Sequence, residues 1–407
     1  MLTSLRLKNF KSFADVTVEL SPLTLLLGAN SSGKSNFLDA IRFLQGIGLD
    51  LPLTDVLRGR IEGGREIWPG LRGSAEEVAR GGGKSFTIES RWTIGREELV
   101  HEITCRVDPE PMVEREALQA KGLGYLFDTP GSVLKGVEGI APSSAKTAAR
   151  KARGLRALGV DRHPARRSLL GQIEHHHGRG QDVRLNDVVE RCHALQMAMR
   201  GALSLDLRPS RMRGYVHRSV DHLGTSGENL SAAVFRLCQD ADRKVELMGW
   251  LSALCTPDIT DIDFVETELG DVMLRIVEKD GTRISARSLS DGTLRVLGKI
   301  VAVLTAPEGS LLLMEELEHS LHPAQAGLLI QILEAATIPG ACQLLGTTHS
   351  PALLRAMSKE ALARAVVFGR RAGAAGTGAR RLGELPHLEE ILQKGLEHLF
   401  ATRWLEM

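Results

Sequence analysis

The chain has 407 residues, 43 % hydrophobic and 25 % charged, which is typical of a globular protein of two or three domains. Its 51 basic and 50 acidic residues nearly cancel, so the net charge gives no argument for general nucleic-acid binding. Five scattered cysteines without a C-x-x-C pair argue against a disulfide framework or a cysteine-rich zinc site. No apolar run or leader pattern predicts a membrane or secreted protein, so we expect a cytoplasmic one.

Apolar patterning predicts the strands of the N-terminal part. Two short strands are expected around Leu2–Leu7 and Val16–Leu20, and the continuous apolar run Leu23–Leu27 indicates a buried strand. Residues 50–85 are rich in Gly and Arg and predict a connection. A β-hairpin is expected over residues 86–107, because apolar residues alternate on both sides of a Gly-Arg-Glu-Glu turn.

The most specific motif follows the third strand. The sequence Gly28-Ala29-Asn30-Ser31-Ser32-Gly33-Lys34-Ser35 fits the G-x-x-x-x-G-K-[ST] phosphate-binding loop. Apolar residues then recur at helical spacing, so the loop ends at a helix N-terminus, which favours anions. Lys34 can reach the β- and γ-phosphates of a nucleotide, and the Ser35 hydroxyl can ligate Mg²⁺. The loop alone does not separate kinases, GTPases and ATPases.

Residues 108–230 differ in character from the segments on either side. Prolines punctuate them, and the intervening pieces favour helices around 143–158 and 185–203. We expect a compact, mostly helical insertion, because so many prolines and glycines cannot sustain the heptads of a long coiled coil. His175-His176-His177 could bind a metal, although an exposed polar loop explains the three histidines better.

A basic stretch lies within this insertion, at residues 146–167. It could bind DNA or RNA phosphates, form a solvated helix face, or dock an acidic partner. Its basic residues are Lys146, Arg150, Lys151, Arg153, Arg156, Arg162, Arg166 and Arg167.

Two strand ends in the second half of the chain carry candidate catalytic groups. Leu311–Met314 is a short apolar run suited to a buried parallel strand, and it ends in Glu315 and Glu316. One carboxylate there can help to hold Mg²⁺, and the other can polarise an attacking water. The next strand, Gln343–Thr348, delivers His349 at its carboxyl end, where open α/β sheets bind ligands.

Turn and cap signals surround these strands. Asp280-Gly281 predicts a hairpin turn, and Ser350-Pro351 predicts a helix start after the histidine strand. Leu289-Ser290-Asp291-Gly292-Thr293 precedes an amphipathic helix, and taken alone it is only a helix start with Ser290 or Asp291 as the cap. Gly369–Gly383 predicts a mobile basic loop.

The order of these motifs resembles that of ABC-type ATPases of the SMC, RecF and OLD-like group. The phosphate loop, Leu289–Thr293, the strand that ends in two glutamates, and Thr348–Pro351 follow one another as they do in that family. Leu5–Phe13 and Glu318–Pro323 also look like family segments. The resemblance covers residues 1–105 and 225–370. It implies an α/β fold, namely an ABC-type P-loop ATPase head with two lobes, and ATP with Mg²⁺ as its ligands.

The resemblance also assigns roles to site residues. Gly28–Ser35 would be the Walker A loop, and Glu315 and Glu316 would be the Walker B pair. Glu315 and Ser35 would hold the metal, Glu316 would be the catalytic base, and His349 would be the switch histidine. Many family members have Asp where this chain has Glu315.

A second protomer completes the site in this family. By resemblance, Ser290 and Gly292 form the signature that closes onto the nucleotide held by the other protomer, so a homodimer with ATP sandwiched between its heads is implied. The glutamine of the family's Q-loop has no clear counterpart. The weakly supported candidates are Gln45, Gln119 and Gln172.

The motifs divide the chain into four segments. We expect them to be ATPase lobe I at 1–107, the helical insertion at 108–230, ATPase lobe II at 231–370, and a C-terminal tail at 371–407.

Only 58 residues follow His349, which leaves no room for the toprim nuclease of OLD-like proteins. The chain therefore resembles stand-alone ATPase subunits of antiphage systems such as Septu and PARIS. The leading hypothesis is an ATP-dependent dimer that controls a separately encoded effector, a nuclease or toxin from a neighbouring gene. The alternative is a RecF-like repair or recombination ATPase that acts directly on DNA. A small-molecule kinase would need no signature helix, and a transporter ATPase would need a permease partner.

Overall fold

A computed structural model describes residues 1–130, 166–173, 183–220, 223–255, 258–337, 342–370 and 375–385. The strands are, in chain order, β1 (Leu2–Phe10), β2 (Phe13–Glu19), β3 (Leu23–Leu27), β4 (Arg60–Glu62), β5 (Arg65–Trp68), β6 (Ser85–Ile94), β7 (Glu97–Arg106), β8 (Met112–Ala120), β9 (Gly124–Pro130), β10 (Ala202–Leu205), β11 (Val216–His217), β12 (Ile259–Glu266), β13 (Asp271–Glu278), β14 (Arg283–Ser285), β15 (Leu311–Met314), β16 (Gln343–Thr347), β17 (Val366–Arg370) and β18 (Thr377–Arg381). The helices are α1 (Lys34–Gly48), α2 (Leu53–Arg58), α3 (Leu169–Ile173), α4 (Val183–Arg200), α5 (Leu230–Leu237), α6 (Ala241–Leu254), α7 (Asp291–Leu304), α8 (Ala326–Ala336), α9 (Pro351–Ala356) and α10 (Lys359–Arg364).

The strands form two large sheets and two small ones. The first large sheet is antiparallel, in the order β2-β1-β6-β7-β8-β9. The second has the order β10-β15-β16-β3-β17-β18, and its first five strands are parallel. A smaller sheet combines β11 to β14, and β4 pairs with β5. The parallel sheet places the carboxyl ends of β3, β15 and β16 at one edge, where three predicted motifs begin.

The parallel sheet also separates two hydrophobic cores. Along β15, Leu311 and Leu313 face the core shared with the antiparallel sheet, whereas Leu312 and Met314 face the other core. The same alternation holds at Leu344 and Leu345 on β16, where each side chain is completely buried. Burial on both faces explains why these strands are continuous apolar runs in the sequence.

The short strands and the hairpin predicted from the sequence are confirmed. β3 and β15 have the predicted bounds, and β16 ends one residue earlier than predicted. Residues 86–107 form the β6–β7 hairpin. Ser350 caps α9, with its hydroxyl accepting from the Leu353 amide, and Asp280-Gly281 turns between β13 and β14.

Three local predictions are wrong. The helical insertion was expected to begin at residue 108, but β8 and β9 extend the antiparallel sheet to Pro130 because they pair in turn onto β7. The C-terminal part of the predicted insertion also contains a strand of the parallel sheet, because β10 pairs with β15. Residues 50–85 are more than a connection, because α2 buries Leu53, Val56 and Leu57.

The third error concerns the basic loop predicted at Gly369–Gly383, and with it the expected start of a C-terminal tail at 371. Much of this segment lies in the β17–β18 pair, with Gly369 opposite Gly378 and Arg370 opposite Thr377. The predicted helix around 143–158, most of the basic stretch and the three histidines lie outside the described residues. The helix predicted around 185–203 is confirmed as α4. In the described part of the chain, no helix is long and apolar enough to span a bilayer.

Candidate functional site

The loop Gly28–Ser35 connects β3 to α1 and depends on its glycines. The φ angle of Gly28 is +144°, and a Cβ atom there would lie 2.5 Å from the Phe368 carbonyl oxygen. Gly33 has a φ angle of +108°, and a Cβ atom there would lie 2.9 Å from the Ser12 hydroxyl. Only glycine fits both positions without strain. Between the two glycines, residues 29–31 are exposed to solvent.

Lys34 is folded back onto this loop. Its Nζ donates hydrogen bonds to the carbonyl oxygens of Gly28, at 2.7 Å, and Ala29, at 2.8 Å. Burial lowers the pKa of Lys34 to about 8, against the opposing effect of three nearby glutamates. Helix α1 has no side-chain N-cap, so its first N–H groups are left to an anion. The loop therefore presents a cation and backbone donors to the same place.

Ser35 and Glu315 meet although they come from opposite halves of the chain. The Ser35 hydroxyl donates to a Glu315 carboxylate oxygen at 3.1 Å. Arg72, which the sequence analysis did not identify, donates to both oxygens of the same carboxylate. Glu316, the next residue, is exposed and has a φ angle of +50°, and its backbone N–H donates to the Thr347 hydroxyl on β16.

Two further charged residues that sequence reasoning missed lie beside these groups. Glu318 accepts a hydrogen bond from the His349 backbone N–H at 2.6 Å, and its charge acts on Lys34, Lys299 and His349. Its second carboxylate oxygen is buried, with no hydrogen-bond partner among the described residues. Glu318 lies in the segment Glu318–Pro323, which resembles a family segment. This resemblance was the sequence signal that could have identified it.

Lys299 on α7 is 7 % exposed and holds the chain that follows Glu316. Its Nζ donates to the carbonyl oxygens of Leu317 and His319, each at 2.8 Å. Burial lowers the pKa of Lys299 to about 8. The pKa of His349 is also lowered, by burial and then by the charge of Lys34.

The predicted signature residues lie apart from this cluster. Ser290 is exposed and caps α7, since its Oγ accepts from the Thr293 amide at 3.0 Å. Gly292 follows in the first turn and faces Ser320 rather than the loop. Arg213 fixes this helix start by donating to the Leu289 carbonyl and to Asp291. Among the described hydrogen bonds, none joins Ser290 to residues 28–35.

Of the three candidate Q-loop glutamines, only Gln45 lies near the end of β15. It lines a cleft of about 780 Å³ together with Arg72, Glu315 and Glu316, and its side chain donates to the Ala202 carbonyl. Gln119 lies on β8, and the side chain of Gln172 donates to the Ser168 carbonyl.

The donor set fits a magnesium nucleotide. In the described part of the chain, no group of three or more His, Cys, Asp or Glu residues could hold a metal by itself. A hydroxyl and a carboxylate, Ser35 and Glu315, leave the remaining positions to phosphate oxygens and water, which is how Mg²⁺ is usually held in nucleotide sites.

Comparisons with known proteins agree with this geometry. A family model described as an AAA ATPase domain matches residues 1–49, and one described as an AAA domain, putative AbiEii toxin, type IV TA system, matches residues 194–355. The first covers the phosphate loop and the second covers the signature, both glutamates and His349. In the solved structures, the chain resembles an SMC head bound to the C-terminal winged-helix domain of ScpA, with 13 % identity, 94 % of this chain and 99 % of that chain covered, and a TM-score of 0.52. The chain has the fold of SMC heads.

Two further similarities accompany this SMC-type fold. The SMC head domain of Thermotoga maritima is 13 % identical over 93 % of this chain and 98 % of that chain, with a TM-score of 0.44. The chromosome partition protein Smc of Halothermothrix orenii is 53 % identical over 47 residues. That match spans 11 % of this chain and only 4 % of the length of the curated relative.

Proposed function

We propose that the chain binds ATP with Mg²⁺ at the loop Gly28–Ser35 and hydrolyses it to ADP and phosphate. The contact between Ser35 and Glu315 carries this proposal, because it unites a phosphate loop with an acidic strand end in one site. The two AAA family models, which match the segments that hold these residues, support it.

Each residue has a task in this reaction. The Lys34 ammonium exchanges the carbonyls of Gly28 and Ala29 for phosphate oxygens. Ser35 and Glu315 hold the metal, which supplies positive charge against the charge that develops on the phosphates. Glu316 orients a water molecule and accepts its proton, and His349 lies on the side of the γ-phosphate.

The experiment is phosphate release from ATP by the purified chain. The wild type is expected to hydrolyse ATP, and Lys34→Ala is expected to abolish hydrolysis and weaken nucleotide binding. The matched control is Lys121→Ala, since Lys121 is exposed and pairs with Glu98 on the antiparallel sheet. Equal rates for the wild type and Lys34→Ala would refute the proposal.

We further propose that ATP closes two chains into a homodimer. Ser290 and Gly292 of each chain then complete the nucleotide site of the other. The exposed position of Ser290 at the N-terminus of α7 supports a contact made between chains rather than within one.

The finer proposal is that closure controls a separately encoded effector, a nuclease or toxin, in defence against phage. Two observations support it. The family model over residues 194–355 is described by a putative AbiEii toxin of a type IV toxin–antitoxin system, and the SMC head relative is bound to a partner protein, ScpA. Purification from the native host, followed by identification of what co-purifies with ATP but not with ADP, tests this step.

A RecF-like ATPase that acts directly on DNA is the second candidate. The similarity of 47 residues to a chromosome partition protein favours it, as does the basic stretch 146–167. DNA-stimulated hydrolysis would support this candidate. Replacing Arg150, Lys151, Arg153 and Arg156 by Glu would then weaken DNA binding and flatten its salt dependence, because fewer counterions are released. Unchanged affinity across the salt titration would exclude DNA binding by this stretch.

A further inference from the structure

Arg72 binds the carboxylate of Glu315, the residue proposed to hold the metal. Its two Nη atoms lie 2.5 and 3.2 Å from the two Glu315 oxygens, so the fork of the guanidinium matches the carboxylate on both sides. The Ser35 hydroxyl takes the remaining close position on the same carboxylate, at 3.1 Å. Both Glu315 oxygens are therefore hydrogen-bonded by groups of the chain itself.

The opposite edge of the guanidinium contacts α1. The Nε of Arg72 lies 3.3 Å from Oδ1 of Asp39, which is completely buried in α1. Lys11 fixes the backbone of the same residue, donating to the Arg72 carbonyl at 2.7 Å and to Asp39 at 2.5 Å. Arg72 thus contacts Lys11 in the β1–β2 turn, Asp39 in α1, and Glu315 directly after β15.

The surroundings of Arg72 leave room for its side chain to move away from Glu315. Its side chain is 42 % exposed and lines the 780 Å³ cleft, so space exists for the guanidinium to move. Gly70 and Gly73 flank it with φ angles of +73° and +84°, conformations that glycine adopts without strain. Asp39 stays paired when Arg72 moves, because Lys11 and Arg42 remain beside it.

We propose that Arg72 is a latch on Glu315 that competes with Mg²⁺ and thereby sets the metal affinity of the site. In the closed latch, the guanidinium neutralises Glu315 and takes up its oxygens. Metal binding at Glu315 displaces the guanidinium, which moves towards the cleft while Lys11 and Arg42 keep Asp39 paired. Residues 59–83, which carry Arg72, then respond to whether a magnesium nucleotide is present. The latch rests on the proposed function, since it needs Glu315 to be the metal ligand.

The test measures how strongly Mg²⁺ promotes nucleotide binding. The quantity is the ratio of the dissociation constants of AMP-PNP, a non-hydrolysable ATP analogue, without and with Mg²⁺. This ratio cancels any direct attraction between Arg72 and phosphate that is equal in both conditions. Arg72→Ala removes the competitor, so the ratio is expected to rise about two- to fivefold, the range for a partly exposed ion pair. Arg72→Lys, a point charge without the bidentate fork, is expected to fall between it and the wild type.

Two further variants complete the experiment. Arg58→Ala is the matched control, because Arg58 lies just before the same segment and forms an exposed pair with Glu76 at 3.1 Å, and it should leave the ratio unchanged. In a Glu315→Gln background, Arg72→Ala should produce no rise, since the contested carboxylate is gone. An unchanged or lower ratio in Arg72→Ala, or an equal rise in the Glu315→Gln background, would overturn the latch. A wild type that binds no AMP-PNP, or binds it without any effect of Mg²⁺, would overturn the proposed function and the latch with it.

Discussion

The Ser35 hydroxyl and the Glu315 carboxylate are 3.1 Å apart, although 280 residues separate them in the sequence. The two residues meet because β3 and β15 flank β16 in one parallel sheet, which brings their carboxyl ends to the same edge. This contact marks the place at which a metal can join the loop to the acidic strand end.

Removal of either partner should weaken metal-assisted binding. Ser35→Ala and Glu315→Gln are each expected to reduce AMP-PNP affinity in Mg²⁺ by about ten- to a hundredfold, which is the range for losing a contact to a charged group. Binding without Mg²⁺ should change little. Ser310→Ala is the control, because its buried hydroxyl lies just before the opposite end of β15. Titration of a fluorescent nucleotide measures both conditions, and equal losses with and without Mg²⁺ would count against the metal assignment.

Glu316 should matter for turnover and not for binding. Glu316→Gln keeps the shape of the side chain but cannot accept a proton from water, so kcat is expected to fall by about 10²- to 10⁴-fold. Nucleotide affinity should stay at the wild-type value, as should both quantities in Glu308→Gln, a change on the exposed turn before β15. Hydrolysis by Glu316→Gln at the wild-type rate would show that another residue is the base.

The buried Lys299 predicts a pH dependence of stability. Burial lowers its pKa in the folded chain to about 8, whereas its ordinary value is 10.5. Between these values the unfolded chain binds more protons than the folded one, so Lys299 makes the free energy of unfolding rise with pH in this window. Relative to Lys299→Met, the wild type should gain on the order of 3 kcal/mol between pH 7.5 and 10.5.

Urea denaturation at a series of pH values measures this difference. Other groups that titrate in the window are common to both proteins and cancel. Lys279→Met, a change at an exposed lysine, should show no such slope relative to the wild type. A stability difference between the wild type and Lys299→Met that does not change with pH would contradict the prediction.

Glu318 should stabilise the strand end that carries His349. Glu318→Ala leaves the His349 backbone N–H without its acceptor, and it is expected to lower the free energy of unfolding by about 1–3 kcal/mol. Glu318→Gln keeps an oxygen acceptor and should lose less. The midpoint of urea unfolding measures both variants. Equal destabilisation by Ala and Gln would show that the charge of Glu318, rather than this hydrogen bond, supports the site.

The parts of the fold that could be predicted from sequence are those with a local signal. Leu23–Leu27 and Leu311–Met314 are buried on both faces and therefore form continuous apolar runs with polar motif residues directly after them. Ser290 or Asp291 was predicted as a helix cap because capping acts within one turn, and Ser290 is the cap. Such signals need no knowledge of the rest of the chain.

The parts that could not be predicted depend on distant partners. β8 contains several charged residues and becomes a strand because it pairs with β7 on one side and β9 on the other. Arg72 lies in a Gly- and Arg-rich segment that resembles a connection, and only the folded chain brings it to Glu315. In the sequence, Lys299 is one polar residue of an amphipathic helix. Its role could not be predicted, because it depends on the packing of α7 against the residues that follow Glu316.

Inter-subunit crosslinking in a Glu316→Gln background tests the proposed ATP-driven dimer most directly. ATP should close two heads and ADP should not, because closure needs the γ-phosphate between the loop of one chain and the signature of the other. Adding Ser290→Arg should block closure and leave ATP binding to the single head intact, since the side chain fills the space that the opposing phosphate must enter. If the Ser290→Arg chain closes with ATP as readily as its parent, then Leu289–Thr293 is only a helix start and the account of the site as shared between two chains is wrong.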